Sequence, residues 1–72
     1  MLLTVKVKSG DGEPIIKDNM LIIFTNEERI NGRANADVIY QIRRLYKTEN
    51  VSIIKGKTSS RKVIFVGDDK HL

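Results

Sequence analysis

The 72-residue sequence contains no cysteine and no tryptophan, and only one proline and one histidine. Without cysteine, the chain can form neither a disulfide nor a thiolate metal site. No apolar run reaches the roughly 20 residues that a bilayer span needs, and residues 1–6 lack the basic and apolar regions of a signal peptide. We therefore expect a cytoplasmic protein that has no membrane partner.

The short chain also limits how the protein can be stabilised. Seventy-two residues form one domain, because so few apolar residues cannot be divided between two cores. A single core of this size supplies only about 3–5 kcal/mol. Because the chain has no disulfide, we expect any additional stability to come from an oligomer interface.

Apolar patterning predicts four strands and one helix. Residues 3–7 alternate apolar with polar, residues 20–25 form a nearly continuous apolar run, and residues 51–54 and 63–66 read as strands joined by a hairpin. Between the second and third strands, apolar residues recur every three or four positions from 34 to 46, which is typical of an amphipathic helix. The predicted fold is α+β, a two-layer β-β-α-β-β arrangement with one main helix on a four-stranded mixed sheet.

Several details of these elements follow from local signals. Asn31 or Gly32 is the expected N-cap of the helix, and Leu45 is placed on its apolar stripe. Ile15 and Ile16 form at most a brief extended segment. The run at 20–25 is expected at the centre of the sheet, with both faces covered, because a strand rich in apolar residues at successive positions has no polar face.

A single helix leaves one face of the predicted sheet without cover. The second and fourth strands are apolar at successive positions, so part of their apolar surface should remain exposed and favour a homodimer or a complex with a protein partner. The candidate interface residues are Leu21, Ile23, Ile54, Ile64 and Val66.

Catalytic patterns are scarce. Residues 56–58 match the end of a phosphate-binding P-loop, but Val51 replaces its first glycine and a strand follows where a helix is needed. Ser59 and Ser60 have no histidine to activate them. The single histidine, His71, lies in the tail beside an aspartate pair at 68 and 69, which is not a rigid coordination sphere. We expect a protein that is not an enzyme and that carries no cofactor or metal.

Positive charge collects between residues 33 and 62, which include eight basic and two acidic residues. The start of the helix favours an anion through its free backbone N–H groups, and the loop at 56–62 adds cations and hydroxyl groups. The candidate anion-binding residues are Arg33, Asn35, Lys57, Ser59, Arg61 and Lys62. A second interpretation stays open, in which Asn35 ties the loop to the helix by hydrogen bonds and the lysines only face water.

Two segments carry a resemblance to a known family. Residues 31–35 read Asn-Gly-Arg-Ala-Asn at the helix start, and residues 56–62 read Gly-Lys-Thr-Ser-Ser-Arg-Lys before the last strand. In type and spacing they resemble the YggU-like family of small uncharacterised proteins, over roughly residues 20–66. Ser60 stands where that family usually has a basic residue, and the chain lacks the family's C-terminal helix. The resemblance implies one YggU-like domain over residues 1–72 with a two-layer α/β fold, and it supplies no established activity.

The sequence thus leads to two functions of different classes. The first is a non-enzymatic module that binds RNA or another polyanion through the candidate anion-binding residues, mainly by contacts to phosphates. The alternative is a protein-interaction or structural module that acts through the apolar sheet face.

Overall fold

Five strands and one long helix make up the fold in the computed structural model, which describes residues 1–68 apart from the side chain of Ile30. In chain order the elements are β1 (Leu2–Ser9), β2 (Ile15–Lys17), β3 (Met20–Thr25), a 3-10 turn (Ile30–Gly32), α1 (Arg33–Tyr46), β4 (Val51–Lys55) and β5 (Arg61–Val66). The α+β class is confirmed. The prediction of four strands is wrong, since β2 is a fifth strand, and its three residues are too few to show a period-two pattern.

The strands form one mixed sheet in the order β2-β3-β1-β5-β4. β1 and β3 are parallel, and the other three neighbouring pairs are antiparallel. The predicted hairpin between β4 and β5 is confirmed. β3 was expected at the centre of the sheet, but β1 holds that place and β3 is the interior strand beside it.

α1 packs one apolar stripe against one face of the sheet. Ala34, Val38 and Ile42 are buried, as their spacing of four residues predicts. Leu45, which was placed on the same stripe, is 44% exposed. In the last turn it is Tyr46 that packs against the core. Gly32 is the N-cap, in a left-handed conformation and without a side-chain cap hydrogen bond.

The core lies between α1 and alternate residues of the strands. The largest fully buried side chains are Val5, Ile23, Val38, Ile42 and Ile64. Because successive strand residues point to opposite faces, the neighbours of these core residues form the other side of the sheet, which no helix within residues 1–68 covers. We call this side the open face.

Four of the five candidate interface residues therefore lie in the core and not on an exposed face, so their prediction as interface residues is wrong. Leu21, Ile23, Ile64 and Val66 are at most 5% exposed and belong to the core beneath α1. Ile54 is 55% exposed, at the irregularity where the pairing of β4 with β5 shifts register. The expectation failed because an apolar run does not reveal which of its two alternating sets faces the helix. No helix within residues 1–68 is long and apolar enough to cross a membrane.

This correction changes what substitutions should do. Ile23→Ala should lower the free energy of unfolding by about 2–5 kcal/mol, because it empties a fully buried position. Ile54→Ala is the control and should change that free energy by no more than about 0.5 kcal/mol, since its side chain is largely exposed. Urea denaturation of both variants measures the difference, and equal losses would contradict the assignment of Ile23 to the core.

Candidate anion-binding site

A cleft of about 390 Å³ lies where the start of α1 meets the loop between β4 and β5, and we call it the loop cleft. It is lined by Val7, Arg29, Gly32, Ala34, Asn35, Lys57, Thr58, Ser59 and Lys62. Four of the six candidate anion-binding residues, Asn35, Lys57, Ser59 and Lys62, are therefore brought together. No lining residue is acidic, so the residues that form the cleft contribute only positive charge.

The other two candidate residues do not line the cleft. Arg33 is the first residue of α1 and is exposed. Arg61 precedes the buried Lys62 in β5, so alternation along the strand places its side chain on the open face, where its partner on β1 is Lys6. The predicted cluster is thus divided between two sides of the sheet.

Arg29 lines the loop cleft but was missed by the sequence analysis. It belongs to the polar connection between β3 and α1, which turns back so that the N–H of Ala34 donates to the carbonyl of Glu28 at 3.0 Å. This backbone contact brings Arg29 beside the helix start. No side-chain pattern in the sequence signals it.

Lys62, on β5, fixes the backbone of the loop between β4 and β5 by hydrogen bonds. Its side chain is only 5% exposed, and Nζ donates to the carbonyl oxygens of Gly56 at 2.8 Å, Lys57 at 3.1 Å and Ser59 at 2.7 Å. A lysine ammonium has three donors, so all of them are used within the protein. Lys62 contributes its charge to the loop cleft, but it has no hydrogen to donate to a ligand.

Asn35 ties the same loop to the helix. Its Nδ2 donates to the carbonyl oxygen of Lys57 at 3.0 Å, the oxygen that Lys62 also contacts. This is the hydrogen bond of the second interpretation that the sequence left open for Asn35. With the loop held by both the helix and β5, the exposed side chains of Lys57 and Thr58 are presented from a fixed backbone.

Gly56 allows the loop to close over Lys62. Its φ is +84°, and a Cβ atom at this position would come within 2.2 Å of the carbonyl oxygen of Arg61. The carbonyl of Gly56 also accepts from the N–H of Ser59 at 3.0 Å, and Ser59 Oγ accepts from the N–H of Arg61 at 3.1 Å. Glycine is the one residue that fits both the conformation and the close approach.

Burial and like charge both act on Lys62. Removal of the ammonium from water lowers the pKa of Lys62 below its ordinary value of 10.5, and the positive charge of Arg29 lowers it further. Burial is the larger of the two causes, and the smaller one is repulsion between the Lys62 ammonium and the guanidinium of Arg29. A negatively charged ligand would relieve that repulsion.

Comparisons with protein-family models, with curated proteins and with solved structures find no match to this chain. The YggU-like resemblance therefore stays a prediction from the two motifs. Within residues 1–68, no group of three or more His, Cys, Asp or Glu side chains is placed to hold a metal ion. Asp69 and His71 of the tail lie outside the described residues.

Substitution of Gly56 tests the construction of the loop. Gly32→Ala is the matched control, because Gly32 also has a positive φ, +71°, but has open space where a Cβ would be added. It should cost about 1–2 kcal/mol of unfolding free energy for the left-handed conformation alone. Gly56→Ala should cost clearly more in urea denaturation, since it adds a backbone collision, and equal costs would show that the collision is relieved by movement of the loop.

The lowered pKa of Lys62 gives a second test. In a ¹³C NMR titration of the lysine Cε atoms, the pKa of Lys62 should lie below the ordinary lysine value of 10.5, and Arg29→Ala should raise the pKa of Lys62 by removing a nearby positive charge. Since the folded-state pKa lies below the unfolded value, the unfolded chain binds more protons between the two pKa values. The contribution of Lys62 to stability should therefore rise with pH in that window. A pKa of Lys62 at or above 10.5, or no change of that pKa in Arg29→Ala, would contradict the assignment.

Proposed function

We propose that this protein is a non-enzymatic module that binds RNA through phosphate contacts at the loop cleft. The observation that supports the proposal most directly is the composition of the cleft. Three cations, Arg29, Lys57 and Lys62, surround it together with the hydroxyl groups of Thr58 and Ser59, and no carboxylate lines it. Cations and hydroxyl donors together are the groups that proteins use to hold phosphate oxygens.

The individual residues have different parts in this proposal. Arg29 and Lys57 are the exposed cations that supply hydrogen bonds to a phosphate, whereas Lys62 supplies charge and fixes the loop. Arg33 extends the positive surface at the helix start, where the helix dipole also favours an anion. No residue of the cleft is arranged to read base edges, so binding should depend strongly on salt and weakly on sequence.

The protein-interaction alternative loses most of the residues that were assigned to it. Four of the five residues that it relied on are in the core, and only Ile54 remains exposed. The loop cleft, in contrast, keeps four of its six predicted residues and gains Arg29. We therefore favour nucleic-acid binding.

Fluorescence anisotropy with a short single-stranded RNA, repeated over a series of salt concentrations, tests the proposal. If three phosphates are bound, log affinity should fall with log salt with a slope of roughly −2. The double variant Arg29→Ala with Lys57→Ala should weaken binding and reduce the magnitude of that slope by about 1.4, because two phosphate contacts are lost. Lys62 is left intact, since its removal would also loosen the loop.

Arg43→Ala is the matched control. It removes one positive charge from the far end of α1, where Arg43 lies 3.8 Å from Glu49 and away from the cleft. The control should leave the slope nearly unchanged. Equal slopes for wild type and the double variant, or no RNA binding at low salt, would overturn the proposal.

A further inference from the structure

The open face of the sheet is strongly basic. Alternation and strand pairing place five cations there: Lys6, Lys8, Lys17, Lys55 and Arg61. No strand residue on this face is acidic. The acidic residues nearest to the strands lie outside them, among them Asp11, Glu13 and Asp18 on either side of β2, Glu49 before β4, and Asp68 after β5, where it lines a pocket with Phe65. The positive charge of the open face is therefore densest at Lys6, Lys8 and Arg61, at the opposite end of β5 from Asp68.

Two of these cations are direct cross-strand neighbours. Lys6 of β1 pairs with Arg61 of β5 in the antiparallel register. Like charges placed opposite each other on adjacent strands destabilise a sheet. Neither residue forms an ion pair with another described residue, so the fold retains this repulsion without compensation. An anion bound between the two side chains would remove it.

Aromatic and aliphatic side chains are interleaved with the charge. Phe24 is the partner of Lys8, and Phe65 is the partner of Leu2. Both phenylalanine side chains are half-buried, whereas Leu2 is 65% exposed. The open face therefore offers planar apolar surface next to cations, the combination on which single-stranded nucleic acids stack their bases and place their phosphates.

A second copy of the chain fits this face poorly. In a two-fold symmetric dimer the same patch meets itself, so the five cations of one copy would meet the five cations of the other. An occupant has to bring negative charge together with flat apolar groups. A single strand of nucleic acid supplies both in one repeating unit.

The ring of Phe24 is packed against the connection at Gly10 and Gly12, which leaves Phe65 as the aromatic ring available for stacking. We propose that the open face is a second contact surface for single-stranded nucleic acid, on which a base stacks on Phe65 while Lys6 and Arg61 bind a phosphate between them. The inference deepens the proposed function and rests on it. Arg61 follows directly on the loop that forms the cleft and adjoins Lys62, so one strand of nucleic acid can pass around the β4–β5 loop from the cleft to the open face.

Stacking is tested by comparing two probes, an eight-nucleotide oligouridylate and inorganic polyphosphate of the same charge. Phe65→Leu keeps an apolar side chain but removes the aromatic ring, so it should weaken oligouridylate binding roughly tenfold and leave polyphosphate binding unchanged. Tyr40→Leu is the matched control, since it removes an exposed aromatic ring from α1, away from both surfaces. Equal affinity of wild type for both probes, or an unaffected Phe65→Leu variant, would overturn the stacking proposal.

The Lys6 and Arg61 pair gives a second test with two readouts. Arg61→Glu should lose most oligouridylate affinity because it places a negative charge at the phosphate position. It should also raise the urea midpoint, because a like-charge pair becomes an opposite-charge pair. A variant that lost affinity and also unfolded at lower urea would indicate a structural role for Arg61 and count against the proposal.

The outcomes separate this inference from the proposed function. If the Arg29 and Lys57 double variant weakens binding while Phe65→Leu and Arg61→Glu do not, the cleft binds RNA and the open face does not. If wild type binds neither probe at low salt, both proposals fall. Tighter binding to phosphatidylserine vesicles than to oligouridylate, or dimerisation at micromolar concentration in sedimentation velocity, would assign the open face to a different occupant and overturn the inference.

Discussion

One helix of 14 residues provides the only helical layer over a five-stranded sheet within the described chain. At about 1.5 Å per residue the helix is roughly 21 Å long, which is comparable to the width of five strands spaced about 4.8 Å apart. It can therefore shield one face and no more. The position of the core, the exposure of the opposite face and the cleft at the helix start all follow from this single layer of cover.

Lys62 shows how the same constraint shapes the loop. It occupies a strand position that shares its face with Ile64 and Val66, so its side chain is largely removed from water at the base of the loop cleft. A buried charge is costly unless its hydrogen bonds are made. Three backbone carbonyls supply those bonds, and the loop has to curl over the ammonium to bring them into reach. The residue that resembles a ligand-binding lysine in the sequence is thus a structural centre of the site.

The sequence predicted an element well where its apolar pattern is long. It did not predict which side of a strand faces the helix where successive residues of the strand are apolar. The helix at Arg33–Tyr46 and the hairpin of β4 and β5 were predicted because their periodic or paired segments are long. β2 was expected only as a brief extended segment at Ile15 and Ile16 and was not counted as a strand of the sheet, because three residues show no period. The apolar runs of β3 and β5 predicted that these segments are strands, but they did not show which of the alternating residues face α1. Leu21 and Ile64 were therefore assigned to the wrong side of the sheet.

For the site, the loop motif correctly grouped Lys57, Ser59 and Lys62 with Asn35 of the helix start. The sequence could also have shown that Arg61 and Lys62 lie on opposite faces of the sheet, because they are adjacent residues of one strand. Arg29 depended on a backbone contact that no sequence pattern reports.

The strand order has a consequence for the newly synthesised chain. β5 is the last strand of the described chain to leave the ribosome, yet it lies between β1 and β4 rather than at an edge. Its partners on β1 are about 60 residues earlier, and pairings this distant in sequence form slowly. Until β5 arrives, β1 keeps an unpaired edge that is open to other chains. The positively charged residues along this edge, Lys6 among them, discourage such association while synthesis is completed.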